Sequence, residues 1–199
     1  MMLRRAALAL SIAALWIAPA AARALSISVV APPTVEVGSF FDVELRVLGA
    51  PELGDDYGPP SVRAFDFDLS YDDSLLAYES TTFAEFLGWP GSQSIVSASD
   101  LGGVVDLKEV SLLSGGVLDA SQPQDFLLAT LSFEAIAPGS LLLELTQRDL
   151  SDVSGSRLAV SGSNAASIQI IPEPATGLLL AGGALLLALA RRRSTRMCA

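Results

Sequence analysis

The chain has 199 residues, room for one ordinary domain once the segments at its two ends are set aside. Its net charge of −10 hides an asymmetry: seven of the twelve Lys/Arg lie in the first 23 or last nine positions, and between Leu25 and Ile170 five Lys/Arg face 21 Asp/Glu, leaving −16. So acidic a stretch repels phosphate backbones and argues against nucleic acid as a partner; with no His and one Cys, Cys198 beyond the last apolar run, it also excludes disulfides, zinc sites and thiol chemistry from the domain.

Residues Met1–Ala24 read as a secretory signal peptide. Arg4 and Arg5 precede an apolar run from Ala6 to Ala18, Pro19 breaks it, and Ala20-Ala21-Ala22 and Ala22-Arg23-Ala24 both fit small-x-small cleavage. The run falls well short of the about 20 residues a membrane span needs, so removal of the segment is expected.

From Leu25 the apolar residues recur with period two, the mark of half-buried strands. Phe41, Val43, Leu45 and Val47 alternate with Asp42, Glu44 and Arg46, and Phe65, Phe67, Leu69 and Tyr71 alternate with Asp66, Asp68, Ser70 and Asp72. Ala129, Leu131, Phe133 and Ala135 repeat the pattern, and Val105, Leu107 and Glu109 follow it less cleanly. Further strands are predicted at Leu25–Val30, Leu76–Ser80, Ser94–Ser99, Leu141–Gln147 and Ala166–Ile171. Pro32-Pro33, Pro90-Gly91, Gly102-Gly103, Gly115-Gly116 and Pro138-Gly139 separate these runs as turns. About nine short strands and no helix predict an all-β fold, a two-sheet antiparallel β-sandwich spanning residues 25–170. The insertion from Gly49 to Ser61 is longer than a hairpin needs, and long loops at the end of a sandwich often carry binding.

Within that domain, Val35-Glu36-Val37-Gly38-Ser39-Phe40-Phe41-Asp42-Val43, the stretch Ala64 to Leu76 with its Tyr71-Asp72 ending, and Ala129 to Phe133 followed by Pro138-Gly139-Ser140 resemble the cohesin family and the related cellulose-binding β-sandwiches. Where that family often has Pro, this chain has Asp73, a less rigid turn. The resemblance implies a jelly-roll sandwich whose work is binding. Cohesins grip the dockerin modules of other proteins through a sheet face, and the related fold binds polysaccharide; the ligand here is left open between the two.

Several residues invite chemistry. Asp66 and Asp68 leave one strand on the same side about 7 Å apart, a spacing that overlaps an inverting glycosidase pair. A flat sheet face excludes no water, so a solvated face is the preferred reading and no enzyme is expected. Asp55, Asp56, Asp72, Asp73 and Asp100 offer hard oxygens to calcium but form no contiguous calcium loop, so no metal or other cofactor is assigned. Tyr57 and Trp89 could stack on a sugar ring, although Trp89 follows Phe86-Leu87-Gly88, where packing is the commoner use.

In the tail, residues 171–199, Ile171-Pro172-Glu173-Pro174 leads into Ala175–Ala190, sixteen residues without a charge, and then Arg191-Arg192-Arg193. As a helix that run is about 24 Å long, a somewhat short membrane span, with the basic triplet fixing its end on the cytoplasmic side. Motif, short helix and Arg cluster together resemble the PEP-CTERM sorting signal. The resemblance implies that Pro172, Glu173 and Pro174 are read by an exosortase, a membrane transpeptidase-like enzyme, in Gram-negative bacteria that make exopolysaccharide. The expected whole is an exported monomer, first membrane-bound and then at the cell surface, binding polysaccharide or another surface protein in a biofilm setting. The alternative is a matrix spacer without a specific ligand.

Overall fold

The computed structural model describes residues 25–50 and 61–173. The expected signal peptide, Asp55, Asp56 and Tyr57 of the long insertion, and the tail from Pro174 through the apolar run expected to span a membrane to Arg191, Arg192 and Arg193 lie outside them. No helix of the described residues is long and apolar enough to cross a membrane.

The strands are β1 (Ser26–Val30), β2 (Thr34–Glu36), β3 (Phe40–Leu48), β4 (Val62–Ser70), β5 (Leu76–Phe83), β6 (Ser94–Asp100), β7 (Val104–Ser111), β8 (Phe126–Ala135), β9 (Gly139–Asp152), β10 (Gly162–Ser163) and β11 (Ala166–Ile171). They form a five-stranded sheet in the order β10-β1-β3-β8-β5 and a six-stranded sheet in the order β2-β11-β9-β4-β7-β6. The nine predicted strands are all present, within a few residues at their ends, except that β9 runs on to Asp152. Two very short strands join them, and both pair in parallel, β10 with β1 and β2 with β11. These pairings arise where the chain crosses from one sheet to the other near its ends, so the sandwich is antiparallel everywhere but at those two edges.

Alternation along each strand fills the space between the sheets. Val43, Leu45 and Val47 of β3, Phe67 and Leu69 of β4, Val105 and Leu107 of β7, Leu131 and Phe133 of β8 and Leu143 of β9 all have no measurable exposure. Phe65 and Phe67 meet at 4.9 Å between ring centroids, and Phe65 reaches across to Phe83 of the other sheet at 6.2 Å. Phe133 stands against the edges of Tyr71 and Tyr78 at 5.2 and 5.8 Å.

The expectation of no helix is corrected at Gly115-Gly116. These glycines open a seven-residue helix, α1 (Gly115–Ser121), and do not form a turn. Tertiary contacts outweigh the poor helix propensity of Gly. Leu118 is fully buried, a Cβ on Gly115 would lie 3.3 Å from Val153, and the Gln122 amide accepts the Val62 N–H at 2.9 Å while donating to the Val62 carbonyl at 2.6 Å. The helix thereby closes one end of the sandwich. A second short element, a 3-10 turn at Glu85–Leu87, buries Leu87 beside it.

One core position is filled by an ionisable group. Glu109 of β7 continues the inward row after Val105 and Leu107 and is fully buried. Neither carboxyl oxygen has a hydrogen-bond partner among the described residues. Burial pushes its pKa from 4.5 up to about 7. A raised folded-state pKa means the folded chain holds this proton longer than the unfolded chain, so the contribution to stability is complete below pH 4.5 and is lost as pH rises through about 7.

Two outcomes follow for denaturant unfolding of the purified chain. Phe67→Ala, which leaves a cavity at the centre of the core, lowers stability by about 3–5 kcal/mol, whereas Asp66→Ala on the opposite face of the same strand costs no more than about 1 kcal/mol. Comparable losses would mean the strand register is wrong. Against Glu109→Gln as reference, the native chain loses roughly 3 kcal/mol between pH 4.5 and pH 7; parallel stability profiles would contradict the burial of an ionisable Glu109.

Candidate functional site

The outward side chains of β4, β7, β9 and β6 form a continuous face whose rows are fixed by strand register. One row is nearly apolar, running Ser151, Ala64, Val110, Ile95. The next runs Asp149, Asp66, Lys108, Ser97, and the third runs Gln147, Asp68, Asp106, Ser99. Each outward residue is there because its neighbours along the strand, such as Phe65, Phe67 and Leu107, are drawn into the core.

Electrostatics organise the middle of this face. Asp66 and Asp149 sit directly opposite each other, an arrangement that costs energy unless cations intervene. Two do. The Lys108 ammonium lies 3.1 Å from Asp106 and 3.7 Å from Asp66, and Arg157, from the turn after β9, pairs with Asp149. The hydrogen bond to Asp106, followed by the attraction of Asp66, holds the Lys108 pKa above its ordinary value. One oxygen each from Asp66, Asp68 and Asp106 comes within 4.8 Å of the other two. Lys108 supplies the cation that such a group attracts. Over the junction of the apolar and charged rows lies an open hollow of about 350 Å³, lined by Ala64, Asp66, Lys108, Val110, Asp149 and Arg157 among others. Behind Asp149 a groove of about 600 Å³ runs between β9 at residues 146–149 and the chain at 157–160, with Arg148 on its wall.

Of the sequence-derived candidates, Asp66 and Asp68 lie at the centre of this face. They open onto a broad surface, without the enclosed cleft that glycoside hydrolysis needs. The described calcium candidates form no group of three converging carboxylates: Asp72 and Asp100 serve turns, and Asp73 lies with Asp100 beside Gly102. Asp72 accepts the Ser74 N–H and hydroxyl at 3.0 and 2.6 Å, which holds its pKa below the ordinary carboxylate value. Asp100 accepts the Tyr71 hydroxyl at 2.8 Å and the Gly102 N–H at 3.0 Å. Burial first, and then that bond to Asp100, pushes the Tyr71 phenol up to about 12.

Trp89 is away from the core, 59 % exposed, on a turn beside the start of β6. Its carbonyl accepts N–H groups from Ser92, Gln93 and Ser94, and its own N–H donates to Gln93 Oε1 at 3.1 Å. Gly88 holds φ at +113°, and a Cβ there would strike Gln93 at 2.8 Å, so this turn requires glycine. At the other end of the domain Pro172 and Glu173 leave β11 exposed on the surface, with Glu173 lining a small hollow against Glu36–Ser39.

The sequence reading missed Asp106, Lys108, Asp149, Arg157 and the apolar trio Ala64, Val110 and Ile95. Their alternation within β7 and β9 was available, but which strand lies beside which was not.

No protein-family model matches the chain, and no curated protein matches its sequence. Solved structures do match. A cohesin module from a family 33 glycoside hydrolase of Clostridium perfringens is 16% identical with a TM-score of 0.59, over 75% of this chain and 98% of that one. A cohesin from a type I cohesin–dockerin complex of Clostridium thermocellum is 13% identical with a TM-score of 0.60, over 75% of this chain and all (100%) of that one. A type II cohesin domain from the cellulosome of Acetivibrio cellulolyticus is 16% identical with a TM-score of 0.60, over 73% and 95%. At these identities the likeness is one of architecture: the chain folds as a cohesin-like β-sandwich.

Proposed function

We propose that this chain is an exported, non-catalytic binding module that takes a protein partner on the outer face of its six-stranded sheet. The observation that carries the reading is the mosaic on that face. An apolar row through Ala64, Val110 and Ile95 adjoins fixed charges at Asp66, Lys108, Asp106, Asp149 and Arg157, the combination of buried contact and orienting charge by which proteins recognise one another. The fold supports it, since solved neighbours include cohesins in complex with dockerins. Acidic residues dominate the charged rows at the centre of the face, so the partner is basic at its centre with an apolar strip along one side.

The ends of the chain add the setting. Met1–Ala24 directs export, Ala175–Ala190 with Arg191–Arg193 holds the chain in the inner membrane, and Pro172-Glu173-Pro174 presents an extended segment to an exosortase-type enzyme. The domain then acts at the surface or in the matrix of a Gram-negative cell.

Two experiments test these two parts. Immobilised native chain retains a surface protein of the producing organism, and Asp66→Lys combined with Ile95→Lys, which sets positive charge against a basic partner, abolishes retention, while Thr130→Lys on the opposite sheet leaves it intact. Retention of nothing would favour a spacer, and retention of glycan alone would favour a sugar-binding module. Replacing Pro172-Glu173-Pro174 with three alanines leaves export and insertion unchanged but blocks C-terminal processing in a host with an exosortase, as read by intact mass. If native and altered chains both keep Ala199, the tail is a plain anchor.

A further inference from the structure

The two sheets have four edges, and three of them are blunted. β10 has two residues and β2 three, ending on Glu36. β5 shifts register between Tyr78 and Ser80, with exposed Glu79 at the irregularity. Short strands, bulges and edge charges are the devices that stop sheets from adding further strands. β6 is covered only at Ser94, over which the Trp89–Gly91 turn folds, and from Ile95 onward it has none of them. Its seven residues Ser94-Ile95-Val96-Ser97-Ala98-Ser99-Asp100 contain no proline and no charge before Asp100, and they pair with β7 without a register shift. Three of the four most exposed large hydrophobic side chains among the described residues also belong to this edge: Leu101 at 67 %, Ile95 at 63 % and Trp89 at 59 %.

We propose that β6 is a self-association edge, on which a second copy of this chain adds its own β6 in antiparallel pairing to make one continuous sheet. The backbone direction supports a symmetric register. Ser94 turns its N–H and C=O away from β7, to Trp89 and Gly91, so by period two Val96 and Ala98 direct theirs to the open edge as well. Centring the pairing on Ser97 places Val96 opposite Ala98 of the second copy and the reverse, each pair exchanging both hydrogen bonds. Ser97 faces its own counterpart across the two-fold axis, and the Trp89 turn of one copy meets the Leu101 end of the other. Charge selects the same edge. In a domain of −16, self-pairing must keep carboxylates apart, and here the two Asp100 side chains lie at opposite ends of the pairing, about 20 Å apart. The pairing is isologous and closed, so it stops at two copies. This departs from the monomer expected from the sequence, does not rest on the binding reading above, and would set two partner-binding faces side by side on one sheet.

The test uses the full-length chain in detergent with Cys198→Ser as background. Ser97 is exposed, so changes there leave the core untouched. Under mild oxidation Ser97→Cys gives a reducible species of doubled mass, because a facing pair without hydrogen bonds brings the two Cα atoms to about 4.5 Å, within disulfide reach. Thr82→Cys on the blunted β5 edge does not. In a sedimentation series without cysteines, Ser97→Glu raises the dimer dissociation constant about fivefold, the equivalent of the roughly 1 kcal/mol that opposed like charges cost. A Ser97→Cys chain that crosslinks no more than Thr82→Cys, a native chain that stays monomeric, or a dimer indifferent to Ser97→Glu would each overturn the proposal.

Discussion

The structure depends on what β4 does with its two faces. Flanked by β7 on one side and β9 on the other, it turns Phe65, Phe67 and Leu69 into the space between the sheets and Asp66 and Asp68 into solvent. A shift by one residue would bury both aspartates and expose both phenylalanines, so hydrophobic burial fixes the register. That register aligns Lys108 between Asp66 and Asp106, and Asp149 against Asp66. Core and candidate binding face are therefore two sides of one constraint.

Alternation made the strands readable because a sandwich strand has one wet and one dry face; β3 obeys that rule residue by residue, and β4 and β8 break it only near their starts, at Arg63-Ala64 and Leu128-Ala129. The rule also identified Asp66 and Asp68 as neighbours on one face. It could not show which cations neutralise them, since Lys108 is some 40 positions further along the chain and Arg157 some 90, brought in by strand order and by the turn after β9. Propensity misled at Gly115-Gly116, where the helix owes its existence to Leu118 and Gln122 docking at the end of the sandwich. The untidy inward row Val105, Leu107, Glu109 did carry information, for its irregular member proved to be a buried carboxyl without a hydrogen-bond partner.

The acidity of the domain bears on both proposed binding surfaces. The sheet face answers repulsion locally, with two of the five cations between Leu25 and Ile170 placed among its carboxylates. The β6 edge avoids repulsion through a run of Ser, Ala, Ile and Val. Face and edge lie on the same sheet and are formed by different atoms, outward side chains in one case and backbone N–H and C=O groups in the other, so both can be occupied at once.

The claim at the centre of this account is that the outer face of the six-stranded sheet receives the partner. Hydrogen–deuterium exchange of the chain, alone and saturated with its retained partner, reads that face directly. The account predicts added protection in β4, β7 and the part of β9 around Asp149, with β3 and β8 unchanged. Protection confined to β3 and β8 would place recognition on the opposite sheet and contradict it.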